Sequence, residues 1–272
     1  MTPTDLSRLQ LPHACREALA QQRSERIDDH TIAIPAHWWN SEVAAAHLPG
    51  APVTGPGTTH LSRGDLFAHA ASLDLDSEEE LLRFLWRILA WGSGMKLRHN
   101  RKRIRAVADG LPSATAALRQ ALLAAREDPG QAYEALRPGG RNAIAHLGPA
   151  FSTKVLYFVG GGALDHPCSI LDSRVAKTLR TACQWDSLGN SEWPTSTYAR
   201  YCALLQRWSQ EESQRLGRRI GADEIERWLF APDPEDSASL GSQSRIRLPI
   251  NPPACQCLPL PSTGTVPLDR EW

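Results

Sequence analysis

The chain has 272 residues, 30 Lys and Arg balanced by 30 Asp and Glu, and is 42% hydrophobic and 22% charged, a composition that builds a globular protein with a sizeable core. A formal net charge of zero excludes a wholesale polyanion binder, so affinity for nucleic acid must come from local segregation of charge. No apolar run reaches the roughly 18–20 residues of a membrane span, and residues 1–11 lack a secretory pattern, so no membrane association and a cytoplasmic location are expected.

In chain order, Thr31–Pro35 is the one clear strand signal in a Pro-, Gly- and His-rich stretch that runs to residue 60 and reads as a wrap around the rest of the chain. Ser77 and Glu80 have the spacing of a capping box. Leu81, Leu82, Leu85, Trp86, Ile88, Leu89 and Trp91 follow, apolar on nearly every face, as in a helix at the centre of a helical domain. Gly92-Ser93-Gly94 stops this helix, and further helices are expected over 100–108 and 113–126. A short helix is expected over 141–146, and another from near Thr153 to the Gly160-Gly161-Gly162 run. Asp172 is suited to cap a helix reaching about Cys183, and 195–215 and 222–230 are amphipathic with Trp208, Ile225 and Leu229 inward.

The fold class is therefore mainly α. Residues 77–183 are expected to form one lobe, and residues 1–76 with 184–231 a discontinuous second lobe. Residues 232–272 hold eight of the twenty prolines and no periodicity, and are expected to be disordered. The six cysteines, at 15, 168, 183, 202, 255 and 257, form no CxxC pair and have no histidine at metal-ligand spacing. They read as free thiols, and neither a metal nor another cofactor is expected.

The stretch that carries chemistry is LGPAFSTKVLYFVGGGALDHPCSILDSRVAKTLR, residues 147–180, in which Lys154 and Asp172 lie 18 residues apart. GPAFSTK followed at that distance by ILDSRV resembles the helix-hairpin-helix DNA glycosylases, most of all the bacterial branch with the 8-oxoguanine DNA glycosylase fold. The similarity is strongest over 141–180 and weaker over 77–108 and 195–230. Two positions depart from the family pattern: Ser152 stands where the second hairpin glycine is usual, and Phe151 where a small residue is. The resemblance implies two helical lobes around a DNA groove, with Lys154 as nucleophile and Asp172 as its acidic partner. It also implies a monomer that extrudes a modified base from double-stranded DNA, cuts the glycosidic bond and nicks the abasic strand.

Physical chemistry supports such roles. Breaking the bond from C1′ to a base nitrogen develops an oxocarbenium-like transition state that a nearby carboxylate stabilises. A helix N-terminus favours an anionic Asp172, and the same dipole disfavours an ammonium at a helix start, which would make Lys154 more nucleophilic. The apolar neighbours Phe151, Leu156, Tyr157 and Phe158 would add desolvation.

The segment KLRHNRKRIR, residues 96–105, holds six Lys and Arg and no acid. By the resemblance, the loop before it wedges into the duplex, with Met95 and Leu97 as apolar wedge residues and Asn100 contacting the opposing base. Lys96, Arg98, Arg101, Lys102 and Arg105 would hold phosphates. The hairpin residues Gly148, Ala150, Ser152 and Thr153 would offer backbone amides to a phosphate. Arg174, Lys177 and Arg180, three apart after Asp172, form a second basic stripe. The base pocket is expected among Trp38, Trp39, Phe158, Trp228 and Phe230. The expected substrate is an oxidised purine. One alternative is defence against phage by excision of hypermodified viral bases, and an alternative of another class is a non-catalytic DNA-binding protein on the same fold.

Overall fold

The structure, a computed structural model, describes residues 4–231. The expectations for residues 232–272, Cys255 and Cys257 among them, lie outside the described residues. The N-terminal part carries α1 (His13–Ala18), β1 (Thr31–Ala33), α2 (Ala36–Ala45), β2 (His60–Ser62) and α3 (Arg63–Ala71). The middle carries α4 (Glu78–Ser93), α5 (Asn100–Asp109), α6 (Leu111–Ala124), α7 (Pro129–Leu136) and α8 (Pro149–Phe158). α9 (Ser173–Thr181), α10 (Thr195–Leu216) and α11 (Ala222–Phe230) complete a mainly helical chain. β1 pairs antiparallel with β2, Ile32 opposite Leu61, so the strand legible at Thr31 finds its partner in a segment that has no strand signal of its own.

α4 forms the centre. Its residues Leu81, Leu82, Phe84, Leu85, Trp86, Ile88, Leu89, Ala90 and Trp91 are buried, and it packs on α3, α6 and α8. The Ser77 hydroxyl accepts the Glu80 amide at 3.2 Å, but the Glu80 carboxylate is taken by Arg83 and by His69 Nε2, so only half of the expected capping box forms. The chain's high tryptophan count is a core feature, since Trp39, Trp86, Trp185, Trp208 and Trp228 are all fully buried. Each such side chain removes about 150–250 Å² from water, of order 4–6 kcal/mol of burial. The N-terminal segment is strapped onto α10, where Arg207 donates to the carbonyls of Leu6, Ser7 and Leu9, and Trp208 Nε1 to that of Leu9 at 3.3 Å.

The expected helix at 141–146 is absent, and the segment is a run of turns. Six residues are too few to repay helix nucleation unaided. Here the buried Arg137 binds the Gly140 carbonyl at 2.7 Å and the Asn142 side chain, fixing the turn instead. The helix before the hairpin is α7, capped by Asp128, whose Oδ1 accepts from Gly130 and Gln131. α8 starts at Pro149, a residue suited to the first helical position, rather than near Thr153. The four described cysteines, Cys15, Cys168, Cys183 and Cys202, are buried free thiols; burial pushes Cys183 and Cys202 up to about 12.

Candidate active site

Lys154 lies on α8 and Asp172 caps α9. The Asp172 backbone is extended, and its Oδ1 accepts from the amides of Arg174 at 2.9 Å and Val175 at 3.2 Å. That leaves Oδ2 to face Lys154 Nζ at 3.5 Å, the two side chains being 14% and 10% exposed. One carboxylate thus serves both as helix cap and as partner of the amine. Because α8 begins at Pro149, Lys154 sits in its second turn, beyond the first turn where the helix dipole acts. The dipole argument for an activated lysine therefore does not hold, and its surroundings are set by Asp172, by the Ala150 carbonyl at 3.4 Å and by the Phe151 ring.

α4 reaches this point through a glycine. A Cβ on Gly92 would lie 2.8 Å from Phe151 Cε1 and 3.1 Å from Lys154 Cδ, so only a glycine lets α4 close on the lysine stem. The helix ends two residues later at Gly94, whose φ of +54 a side chain rarely adopts.

Lys154 and Asp172 open into a cavity of about 120 Å³. Its other walls are His30 and Ile32 from β1 and the residue before it, Arg63 from α3, Trp91 and Gly92 from α4, Ile170, and Glu226 and Phe230 from α11. Of the five expected pocket residues only Phe230 lines it. Trp39 and Trp228 are core, Phe158 is fully buried against Trp91, and Trp38 packs edge-on to Trp39 with Arg101 over its ring. Some of the missed residues had a signal: Glu226 precedes Phe230 by four on one helix face, and His30 and Ile32 alternate along an extended segment. Arg63 had none.

Arg63 is the polar centre of this wall. Fully buried, it pairs with Glu226 Oε2 at 2.9 Å, donates to Tyr157 Oη at 3.1 Å and lies over the Trp91 ring. Burial works against its charge, yet Glu226, Tyr157 and Asp223 together raise its pKa, so it stays cationic. Burial pushes the Glu226 carboxyl up, with Arg63 pulling against it. The Tyr157 hydroxyl donates a hydrogen bond to Asp223 Oδ2 at 2.9 Å, and Asp223 pairs with Arg23, extending the network away from the cavity.

Burial, with Arg63 and Arg227 nearby, holds the His30 imidazole down at about 4. Between pH 6.5 and about 4 the unfolded chain takes up a proton that the folded form refuses, so this residue makes stability fall as pH falls through that window. His30→Gln is expected to flatten the loss, measured by urea denaturation at pH 7, 5 and 4. Parallel profiles for variant and wild type would remove His30 as the cause.

The basic segment divides in two. Met95, 64% exposed, lies in the loop after Gly94; Lys96, Arg98, Lys102 and Arg105 are exposed and Leu97 is half-buried. Arg101 is exposed but forms a two-pronged ion pair with Glu42. Asn100 is turned inward, fully buried between Ser93 and Arg103, so its side chain does not reach the surface where an opposing base would lie. Arg103 is also buried, bound to the His146 carbonyl and stacked 4.1 Å from the Phe151 ring. At the start of α8, Gly148 and Ala150 are half-exposed. Ser152 and Thr153 are buried, with their hydroxyls on the backbone of Leu147, Gly148 and Leu171. Arg174 and Lys177 are exposed, Arg174 over the Phe230 ring at the cavity edge, whereas Arg180 is spent on the carbonyls of Leu188 and Gly189.

A model of the family described as "Putative 8-oxoguanine DNA glycosylase OGG-like protein" matches residues 25–230, a span that takes in every wall of the cavity. The class is that of the DNA glycosylases, on a mainly helical scaffold. Within that class, the chain belongs to this OGG-like family. No curated protein and no solved structure matches it. Among the described residues, no helix is long and apolar enough to cross a membrane.

Proposed function

We propose that the protein extrudes a modified base, an oxidised purine, from double-stranded DNA into the cavity and excises it with Lys154 and Asp172. The observation that carries this is the 3.5 Å approach of Lys154 Nζ to Asp172 Oδ2 at the wall of a cavity in a glycosylase-family chain. Four lining side chains, His30, Arg63, Trp91 and Glu226, each hold a buried polar atom that lacks a hydrogen-bond partner among the described residues, an environment suited to a polar, ring-shaped guest.

Lys154 gives up a proton to the Asp172 carboxylate, the base facing it at 3.5 Å, and its lone pair attacks C1′. The C1′–N bond breaks, and the nucleobase leaves with the bonding electrons and takes that proton from Asp172, whose carboxylate charge returns as the nucleobase departs. Opening of the sugar ring turns the adduct into an imine, and loss of a C2′ proton then expels the 3′ phosphate. Asp172 also stabilises positive charge at C1′ while the bond breaks.

The DNA would cross the cavity mouth, where the last turn of α4 at Gly92 leads into the Met95 loop and Arg174 lies against Phe230. Exposed Lys96, Arg98, Lys102, Arg105 and Lys177 would hold phosphates on either side. The cavity draws on the segment 77–183 for one wall and on 1–76 with 184–231 for the other, which supports the two-lobed reading. The test is a panel of duplexes with oxidised, deaminated, hydroxymethylated and glycosylated bases, scored separately for base release and strand cleavage. Release of an oxidised purine with cleavage is expected. Preference for hypermodified viral bases would move the role to defence, and binding without release would leave a DNA-binding protein.

A further inference from the structure

Lys154 and Asp172 belong to segments 18 residues apart, and a gap of 3.5 Å between their side chains requires that the segments be fixed to each other. Residues 169–171, which lead into Asp172, are neither helix nor strand, so no ladder holds their backbone groups. Three side-chain hydroxyls take them in turn. Tyr198 donates to the Ser169 carbonyl at 3.1 Å, Tyr201 to the Ile170 carbonyl at 2.6 Å, and Thr153 to the Leu171 carbonyl at 3.0 Å. The Thr153 oxygen also accepts the Leu171 amide at 3.1 Å, so both backbone groups of Leu171 return to one hydroxyl.

We propose that Thr153 is a positioning residue, its hydroxyl clasping the Leu171 backbone so that Asp172 is held against the Lys154 amine, with Tyr198 and Tyr201 anchoring the two residues before. Thr153 and Leu171 each immediately precede one member of the pair, and both are fully buried. A helical threonine can instead bond back to its own helix, and the Ala150 carbonyl is 3.2 Å from the same oxygen. A hydroxyl has one proton to give but can still accept, so the Leu171 amide stays with Thr153 in either case. The clasp explains why a residue that would be expected to face a phosphate is turned inward.

The consequence for excision rests on the reading of Lys154 and Asp172 given above, so the test has one arm that needs no substrate. Lys154 is methylated with formaldehyde and cyanoborohydride in the full-length protein, and its rate is followed by peptide mass spectrometry. Asp172→Asn, which removes the partner charge, is expected to label severalfold faster than wild type. Thr153→Val, which keeps the shape and deletes the hydroxyl, should move toward that rate, and Thr153→Ser should stay within about twofold of wild type. Tyr201→Phe, which keeps the ring and deletes the next anchor, should shift in the same direction as Thr153→Val and settles the matter if that variant does not fold. Wild-type labelling in Thr153→Val, or in Tyr201→Phe where only it folds, would overturn the clasp, as would wild-type labelling in Asp172→Asn.

In the second arm, single-turnover base release by Thr153→Val should drop about 10- to 100-fold with DNA affinity unchanged and Thr153→Ser restoring the rate, as expected when a reacting pair is misplaced by about 1 Å. Equal loss of affinity and rate would point to a merely structural role and overturn the proposal. If wild type releases no base from any duplex, the excision reading fails while the labelling arm still decides the clasp.

Discussion

Lys154→Gln is expected to abolish the covalent protein–DNA complex that borohydride traps in the wild type. An imine between the lysine nitrogen and C1′ is reducible to a stable amine, whereas attack by water leaves nothing to trap. Gln keeps most of the stem that packs beside Gly92 and Phe151, so the fold should survive. It also leaves an amide facing the Asp172 carboxylate, which Ala would not provide. Complex formation at the wild-type level in Lys154→Gln would place the nucleophile elsewhere. Base release by the wild type with no trapped complex would leave Lys154 as a cation that orients Asp172 and would remove the strand-cleaving step.

Asp172→Asn should lower base release by about 10² to 10³-fold while DNA affinity stays near wild type, the range found when one electrostatic partner of a transition state is removed. The geometry separates this from a folding effect. The bonds that cap α9 are made by Oδ1, and an asparagine caps as well as an aspartate, so a thermal melt should move little. Asp172→Ala loses both charge and cap and should be destabilised by a further 1 kcal/mol or so. A rate loss in Asp172→Asn no larger than its loss of folded protein would make the residue a helix cap alone.

The basic residues show how a local signal can mislead about direction. Six cations in ten residues mark a surface facing nucleic acid, yet Arg103 is inside, stacked on Phe151, because α5 must close on the loop at His146. Asn100 follows it inward for the same reason, as the acceptor of one Arg103 hydrogen bond. Likewise the hairpin pattern is legible at Gly148-Pro149, but the helix expected before it is lost to the turn that Arg137 organises, and that residue acts across segments no periodicity connects.

By itself the sequence determined what depends on neighbours in the chain. The mainly α class, the bounds of α4, α5, α10 and α11 to within a residue or a few, the cap at Asp172 and the spacing of the Lys154 and Asp172 segments all rest on helical periodicity and cap chemistry, which are local. Only the tertiary structure decided what stands opposite them. His30, Arg63 and Glu226 come from three segments far apart in the chain, and they meet because burying α4 between α3 and α8 and folding α11 back beside α9 bring their polar groups into one wall. A buried ion pair such as Arg63 with Glu226 has no sequence pattern, since each residue alone reads as an ordinary surface charge, and it is desolvation on packing that obliges the two to find each other.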